Sequence, residues 1–376
     1  MKIKQIPEDF EVREMFEKQK PRSGHRTEDS DYVWFTLMKR DYDLFRAIKM
    51  IAARLGVSVK RFGYAGTKDK RAVTYQKVSA WKVPRDRLES LRIKDMELSD
   101  FEDRRERINL GDLKANRFMI IVRDIGLDRK RLEKFLASRI GDIRKNGVVN
   151  YYGDQRFGGN RSVTHLVGKS IIKGDLKSAV WDYLTVTSGD EHKDTKKFRK
   201  ALQQSGDIKA ALSGMPKGLR FERMMLDHLA GKPNDFGGAL RKLPRNLKRM
   251  FVHAYQSWLW NEVASECLKN KKIKKGVRIP LIGFNTKLSG YPESKDIVTR
   301  ILDREGIRLE YFHVRTMPEL GSEGSERGLK IAPEGLDFSV DDDELNPEKS
   351  KVVLKFAIPA GSYATVVIDR VFEKLQ

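Results

Sequence analysis

Cysteine is all but missing from this sequence. Cys267 is the only one in 376 residues, so no intramolecular disulfide can form and a cysteine-based zinc site is excluded. Histidine is sparse too. His25, His165, His192, His228, His253 and His313 are scattered, none with metal-ligand spacing, and each reads as structural or surface. No stretch approaches the roughly 18 apolar residues of a membrane span. Residues 1–21 are charged throughout and lack the apolar core of a secretory signal. These absences point to a cytoplasmic protein with no metal and no organic cofactor.

Positive charge is what the chain has in excess. Its 75 Lys and Arg face 53 Asp and Glu, a net charge of +22. A surplus of this size attracts polyanions, because neutralising phosphates releases counterions. Plain solubility is the blander explanation. An anionic membrane surface is a weaker rival when neither span nor signal is present. At roughly 150 residues per domain the length suggests two or three domains, enough for a well-buried core.

Periodicity organises the first 150 residues. Asp9 to Phe16 and Asp31 to Lys39 read as strands; in the second, Val33, Phe35 and Leu37 alternate with Trp34, Thr36 and Met38. A helix follows from Tyr42 to Leu55, with Leu44, Ile48, Ile51 and Leu55 on one face and Gly56 as a stop. Ala72 to Trp81 and Asn116 to Ile125 are further strands. Arg129 to Lys145 is a second helix, ended by Gly147. This is an α+β pattern, not the regular alternation of a doubly wound sheet.

Beyond Gly158 the texture changes. Ser162 to Leu184 and Leu247 to Asn270 read as helices, separated by a basic, Gly-rich stretch, and strands stay sparse until Arg308 to Val314. The acidic run Asp341 to Glu344 reads as a solvated loop rather than a metal cluster. Val352 to Ile358 and Tyr363 to Val371 then read as two strands of a hairpin. A lone hairpin is marginal in water, so it must join the sheet of the first region. The chain is therefore expected to leave its first domain near Gly158 and return near Lys351.

Two segments concentrate the chemistry. Gly63-Tyr64-Ala65-Gly66-Thr67-Lys68-Asp69-Lys70-Arg71 sets one carboxylate, Asp69, among cations in a Gly-lined turn. Neighbouring cations favour the ionised carboxylate, the form a carboxylate nucleophile needs. The plainer alternative is a surface turn with local ion pairs. Asn150-Tyr151-Tyr152-Gly153-Asp154-Gln155-Arg156-Phe157-Gly158 packs amides, aromatics and an Arg into a Gly-bounded loop. Amides can read a base edge and rings can stack on an unpaired base, though core aromatics in a turn would look the same. Lys4-Gln5-Ile6-Pro7-Glu8-Asp9-Phe10 and Ile358-Pro359-Ala360-Gly361-Ser362-Tyr363-Ala364-Thr365 each put an aromatic beside a turn, where a structural role is the simpler reading. His253 to Asn261 carries aromatics over three turns, as a packing helix does.

Together, in this order, these segments resemble the tRNA pseudouridine synthase D (TruD) family, and its archaeal members in particular. The Pro-Glu-Asp-Phe start, Gly-Tyr-Ala-Gly-Thr-Lys-Asp-Lys, Asn-Tyr-Tyr-Gly-Asp-Gln-Arg-Phe-Gly and Pro-Ala-Gly-Ser-Tyr-Ala-Thr span nearly the whole chain. The resemblance implies a pseudouridine synthase catalytic domain on a mixed, largely antiparallel sheet, residues 1–158 with 345–376. A mainly helical α/β insertion, 159–344, would interrupt it. It implies isomerisation of uridine at position 13 of tRNA, without metal or organic cofactor. Asp69 matches the catalytic aspartate, Asn150 an asparagine lining the pocket, and Tyr152 an aromatic stacking near the target base. Phe10 and Tyr363 match aromatic pocket positions, and Lys4 a basic residue near the nucleophile. Tyr152 and Tyr363 stand where bacterial members often have Phe; the added hydroxyls can alter the proton route.

The expected partner is tRNA, with no membrane, and a monomer is the default. The main rival is a non-catalytic RNA-binding or RNA-chaperone protein on the same fold, which explains the charge but not the carboxylate in its basic turn. A methyltransferase would need a Gly-rich nucleotide loop that is not found. A magnesium nuclease would need Asp341 to Glu344 to hold the ion.

Overall fold

The computed structural model describes residues 1–16, 30–189, 191–269 and 276–375; His25 and Asn270, named above, lie outside them. The chain forms two compact units, residues 1–148 with 331–376, and residues 149–330.

The first unit is built on one nine-stranded sheet. Its elements are β1 (Lys2–Ile3), β2 (Phe10–Met15), β3 (Tyr32–Arg40), α1 (Leu44–Leu55), β4 (Phe62–Tyr64), β5 (Val73–Trp81), α2 (Arg85–Glu89), β6 (Met96–Arg104), β7 (Ala115–Ile125), α3 (Arg129–Asn146), β8 (Glu334–Asp342), β9 (Ser350–Pro359) and α4 (Ala364–Phe372). The strand order is β8-β9-β7-β2-β5-β3-β6, with β1 added to β7 and β4 to β5. Every pairing is antiparallel except β2 with β5. That single parallel pair joins two antiparallel halves, each with its own core. Helices α3 and α4 cover one core, through residues such as Leu136, Ile140, Val367 and Val371. Helix α1 covers the other, through Leu44, Ile48, Ile51 and Leu55. Because β2 and β5 run the same way, with Glu11 opposite Val73, the segments entering both strands arrive at the same edge of the sheet.

The second unit is mainly helical. The helix Arg245–Lys269 runs through its core, burying Phe251, Tyr255, Leu259 and Trp260. Two short antiparallel strands, Arg278–Leu281 and Ser325–Gly328, complete it.

Four expectations are corrected. The last segment is not a hairpin: β9 does join the sheet, pairing with β7, but Tyr363 to Val371 turns helical. Ala364, Val367, Ile368, Val371 and Phe372 are buried at helical spacing, so packing overrides their β-branched preference. Residues 309–313 form a 3-10 turn, not a strand. The stretch 162–184 is two helices, broken where Gly174 takes a left-handed φ of 78°. The acidic run is not simply solvated. Asp343 is buried and, with Glu344, binds Arg123.

Candidate active site

Asp69 lies in the loop between β4 and β5, ahead of the strand that makes the parallel pair. The loop's entry depends on Gly63. A Cβ there would sit 2.4 Å from the Ile108 carbonyl oxygen, closer than any side chain tolerates. Two cations next to Asp69 in sequence turn elsewhere. Lys68 reaches Glu14 at 2.5 Å, and the Glu14 carboxylate also accepts the Lys77 amide at 3.0 Å. Arg71 donates to the Gln5 carbonyl at 2.8 Å. Two of the charges that meet Asp69 come from further away.

Lys4 is one of them. Its ammonium pairs with the Asp69 carboxylate and stands 4.0 Å above the centre of the Phe10 ring, within cation–π range. Lys4 has a φ of 58°, uncommon for a residue with a side chain, so its surroundings must hold it there. A buried ionic network does so. Arg123, on β7, is 1 % exposed. Its guanidinium donates to Asp9 at 2.8 Å, Asp343 at 2.8 Å and Glu344 at 2.9 Å. The other Asp9 oxygen accepts the Ile6 amide at 3.0 Å, which shapes the turn between Lys4 and Phe10. Asn346 donates to Asp343 at 2.8 Å and to the Gln5 side chain at 3.0 Å. Phe10 itself is largely core, edge-on to Phe118 with ring centres 5.9 Å apart.

Lys39 is the other. It is fully buried, and its ammonium donates to the main-chain carbonyls of Tyr42 at 2.7 Å and Asp69 at 3.2 Å. Burial pushes it down to about 8; the carboxylates of Asp43 and Asp69 pull against that shift, and Lys68 adds to it.

In the second unit Asn150 is buried. Its side-chain oxygen accepts from Arg327 at 2.7 Å, its side-chain nitrogen donates to the Gly328 carbonyl at 3.3 Å, and its own carbonyl accepts from Arg327 at 2.9 Å. The Tyr152 main chain is gripped at both ends by the Asn261 amide, at 2.9 and 3.0 Å. Its ring sits edge-on to Trp260 at 5.8 Å, with the Arg327 guanidinium over it at 4.2 Å. Arg156 lies 5.6 Å from the same ring and donates to Ser257 at 3.0 Å. The helix carrying Ser257, Trp260 and Asn261 is thus a packing helix that also scaffolds this loop.

The structure brings Lys4, Phe10 and Asp69 together in the first unit, and Asn150 with Tyr152 in the second. Tyr363 stands half-buried at the N-terminal boundary of α4. Sequence reasoning missed Lys39, Arg123, Asn261 and Arg327. A signal existed for Lys39, which continues the inward alternation Val33, Phe35, Leu37 and so is a lysine on a buried face. Arg327 and Asn261 carried no local signal. Among the described residues no group of three or more His, Cys, Asp or Glu is placed to hold a metal ion, and no helix is long and apolar enough to cross a membrane.

Comparison with known proteins identifies what the chain is similar to. The model of the family described as tRNA pseudouridine synthase D (TruD) matches residues 1–278 and 269–371. A protein of Methanococcoides burtonii named probable tRNA pseudouridine synthase D is 34% identical, over 98% of this chain and 92% of its own length. One of the same name from Methanopyrus kandleri is 38% identical, over 93% and 86%. A crystal structure described as TruD from Methanosarcina mazei superposes with a TM-score of 0.79 at 34% identity, covering 98% of this chain and 92% of that one.

Proposed function

This chain belongs to the tRNA pseudouridine synthase D family, and on that footing we propose that it isomerises uridine 13 of tRNA to pseudouridine with Asp69 as the nucleophile. The observation that carries the reading is the meeting of Asp69 with Lys4 and Phe10 beside the one parallel strand pair, inside the motif that the family shares. A carboxylate gathered with a cation and a ring drawn from another part of the chain is more than a surface turn.

The reaction breaks the C1′–N1 bond, turns the uracil and rejoins it through C5. The target base first leaves its stack, at a cost of a few kcal/mol. Asp69 then attacks C1′ and forms a glycosyl ester as N1 departs with the bonding pair; once the uracil has turned, C5 attacks C1′ and the ester bond breaks, returning the Asp69 carboxylate. Lys4 orients the Asp69 carboxylate. Tyr152 offers a ring face on which uracil can stack. The Asn150 amide has one N–H and one lone pair committed to the protein; an amide carries two of each, so it retains one of each for a base edge. Phe10 and Tyr363 supply apolar wall. The reattached base finally loses its C5 proton, to Tyr152 or water, and N1 takes one up, so that the product is an isomer of the substrate. The +22 charge serves the tRNA backbone, making binding salt-sensitive, and a tRNA substrate suits a cytoplasmic monomer. In domain terms, residues 1–158 with 345–376 are the synthase domain and 159–344 the family's insertion, bounds that differ by some ten to fifteen residues from those of the two compact units.

Asp69→Asn or Asp69→Ala abolishes pseudouridine formation, read by carbodiimide mapping of the treated tRNA, while tRNA binding persists. The loss exceeds about a thousandfold, ~4 kcal/mol of barrier. An Asp69→Ala protein with full activity would sink the assignment. Tritium release from 5-tritiated tRNA separates a synthase from a protein that only binds RNA.

A further inference from the structure

We infer that Lys39 is a positioning residue for Asp69: its buried ammonium ties the Asp69 carbonyl to the Tyr42 carbonyl and so fixes the segment that presents the reacting carboxylate. The inference rests on the proposed function and goes beyond the residues that the family motif supplies.

The argument begins with cost. A lysine with no exposed surface has given up the hydration of its charge, which is expensive unless partners replace it. Here the two hydrogen-bond partners are main-chain carbonyls, at 2.7 and 3.2 Å, which compensate with dipoles rather than with a full opposite charge. A leucine in register with Leu37 would serve the core better. What the ammonium achieves, and leucine could not, is a link between two segments. Tyr42 opens the turn from β3 into α1, and Asp69 belongs to the loop ahead of β5. The strands beneath are already joined, with Lys39 opposite Thr74, and the loop is also held by the Asp41 amide on the Ala72 carbonyl, by Lys68 on Glu14 and by Arg71 on Gln5; the Lys39 ammonium acts at Asp69 itself.

The groups around Lys39 make its charge state matter. Asp43 reaches it from the start of α1, and Asp69 and Lys68 from the loop; its cross-strand neighbours, Thr74 on β5 and Met96 on β6, do not titrate. With the ammonium held down to about 8, it loses its proton just above neutrality. The amine that remains binds the carbonyls more weakly and sets no positive charge beside Asp69. Anchoring therefore weakens as pH rises through that value.

The test is single-turnover pseudouridine formation by the full-length protein with tRNA, between about pH 6 and 9, for wild type, Lys39→Met and Lys39→Arg. The wild-type rate is expected to fall on the alkaline side with a midpoint near 8. Lys39→Met slows the rate about a hundredfold at neutral pH, the scale of an ångström's misplacement. It also loses the alkaline limb, leaves tRNA affinity unchanged and melts no lower than wild type. Lys39→Arg, which keeps its charge at every pH used, shows no limb near 8. A Lys39→Met protein within twofold of wild type, or a loss that resides in tRNA affinity, overturns the inference. So does a limb near 8 that persists in Lys39→Arg, a readout that stands even if Lys39→Met folds poorly. An inactive wild type would instead defeat the functional reading itself.

Discussion

The two compact units supply proposed site residues of different character. Around Asp69 the partners are charges drawn from Lys4 and Lys39, with Arg123, Asp9, Asp343 and Glu344 behind them. Around Tyr152 they are ring faces and a guanidinium laid on them: Trp260, Arg327 and Arg156. The difference follows from the work proposed for each. A carboxylate that attacks carbon must be held at a fixed point, and buried charge pairs tolerate little displacement. A base that turns needs a surface without strong directional preference, which stacking provides. The ionic region is therefore expected to fail abruptly on substitution, and the stacked region by degrees.

Arg123→Met tests the first half of that contrast and carries the largest stability effect. It leaves Asp9 and Asp343 buried without their cation, and losing one partner of a buried pair costs about 3–5 kcal/mol. Denaturant unfolding measures it; a loss below 1 kcal/mol would contradict the account. Acid sharpens the same point. Burial pulls the Asp343 carboxyl up, but the Asp124 amide, Asn346, Arg123 and the Leu345 amide together hold it down to about 2. A carboxyl whose folded value lies below its unfolded one stabilises the protein fully above the unfolded value, near 4. That stability disappears as pH falls through about 2. In Arg123→Met the loss begins at higher pH.

Much of this region could be read from the chain, and the reasons for the exceptions are physical. Strand β3 and helix α1 followed their apolar periods because Val33, Phe35 and Leu37 on the strand and Leu44, Ile48, Ile51 and Leu55 on the helix pack into one shared core. Helix α4 did not, because a run of β-branched residues resembles a strand until its packing partners are known. The Asp69 motif was legible as local chemistry, yet its neighbours Lys68 and Arg71 proved to be occupied with Glu14 and Gln5. Two cations that do approach it arrive from residues 4 and 39, through a strand order that no local pattern encodes. Asp343 looked like one more solvated acid because its partner, Arg123, lies 220 residues away.

Arg327→Ala tests the stacked region. It removes the cation over Tyr152 and two hydrogen bonds to Asn150. Hydrogen bonds to a charged group contribute about 1.5–3 kcal/mol, yet the Asn261 amide still grips the Tyr152 main chain. A drop of about tenfold in single-turnover rate is expected, with the fold intact by circular dichroism. A collapse to the level of Asp69→Ala would erase the contrast between the regions, since stacking would then be as unforgiving as charge.

Tyr152→Phe has the smallest expected effect and asks the most pointed question. The substitution keeps the ring, its edge contact with Trp260 and the guanidinium above it. If Tyr152 acts only as a surface for the turning base, the rate changes by less than about threefold, because the stacking face is the same. If its hydroxyl takes the C5 proton, the cost reaches the 10²–10⁴ range of general-base catalysis. A deuterium isotope effect from 5-deuterated uridine would then rise in the variant as proton removal becomes slow. A small loss with no isotope effect assigns the proton to water and leaves the second unit's contribution one of surface alone.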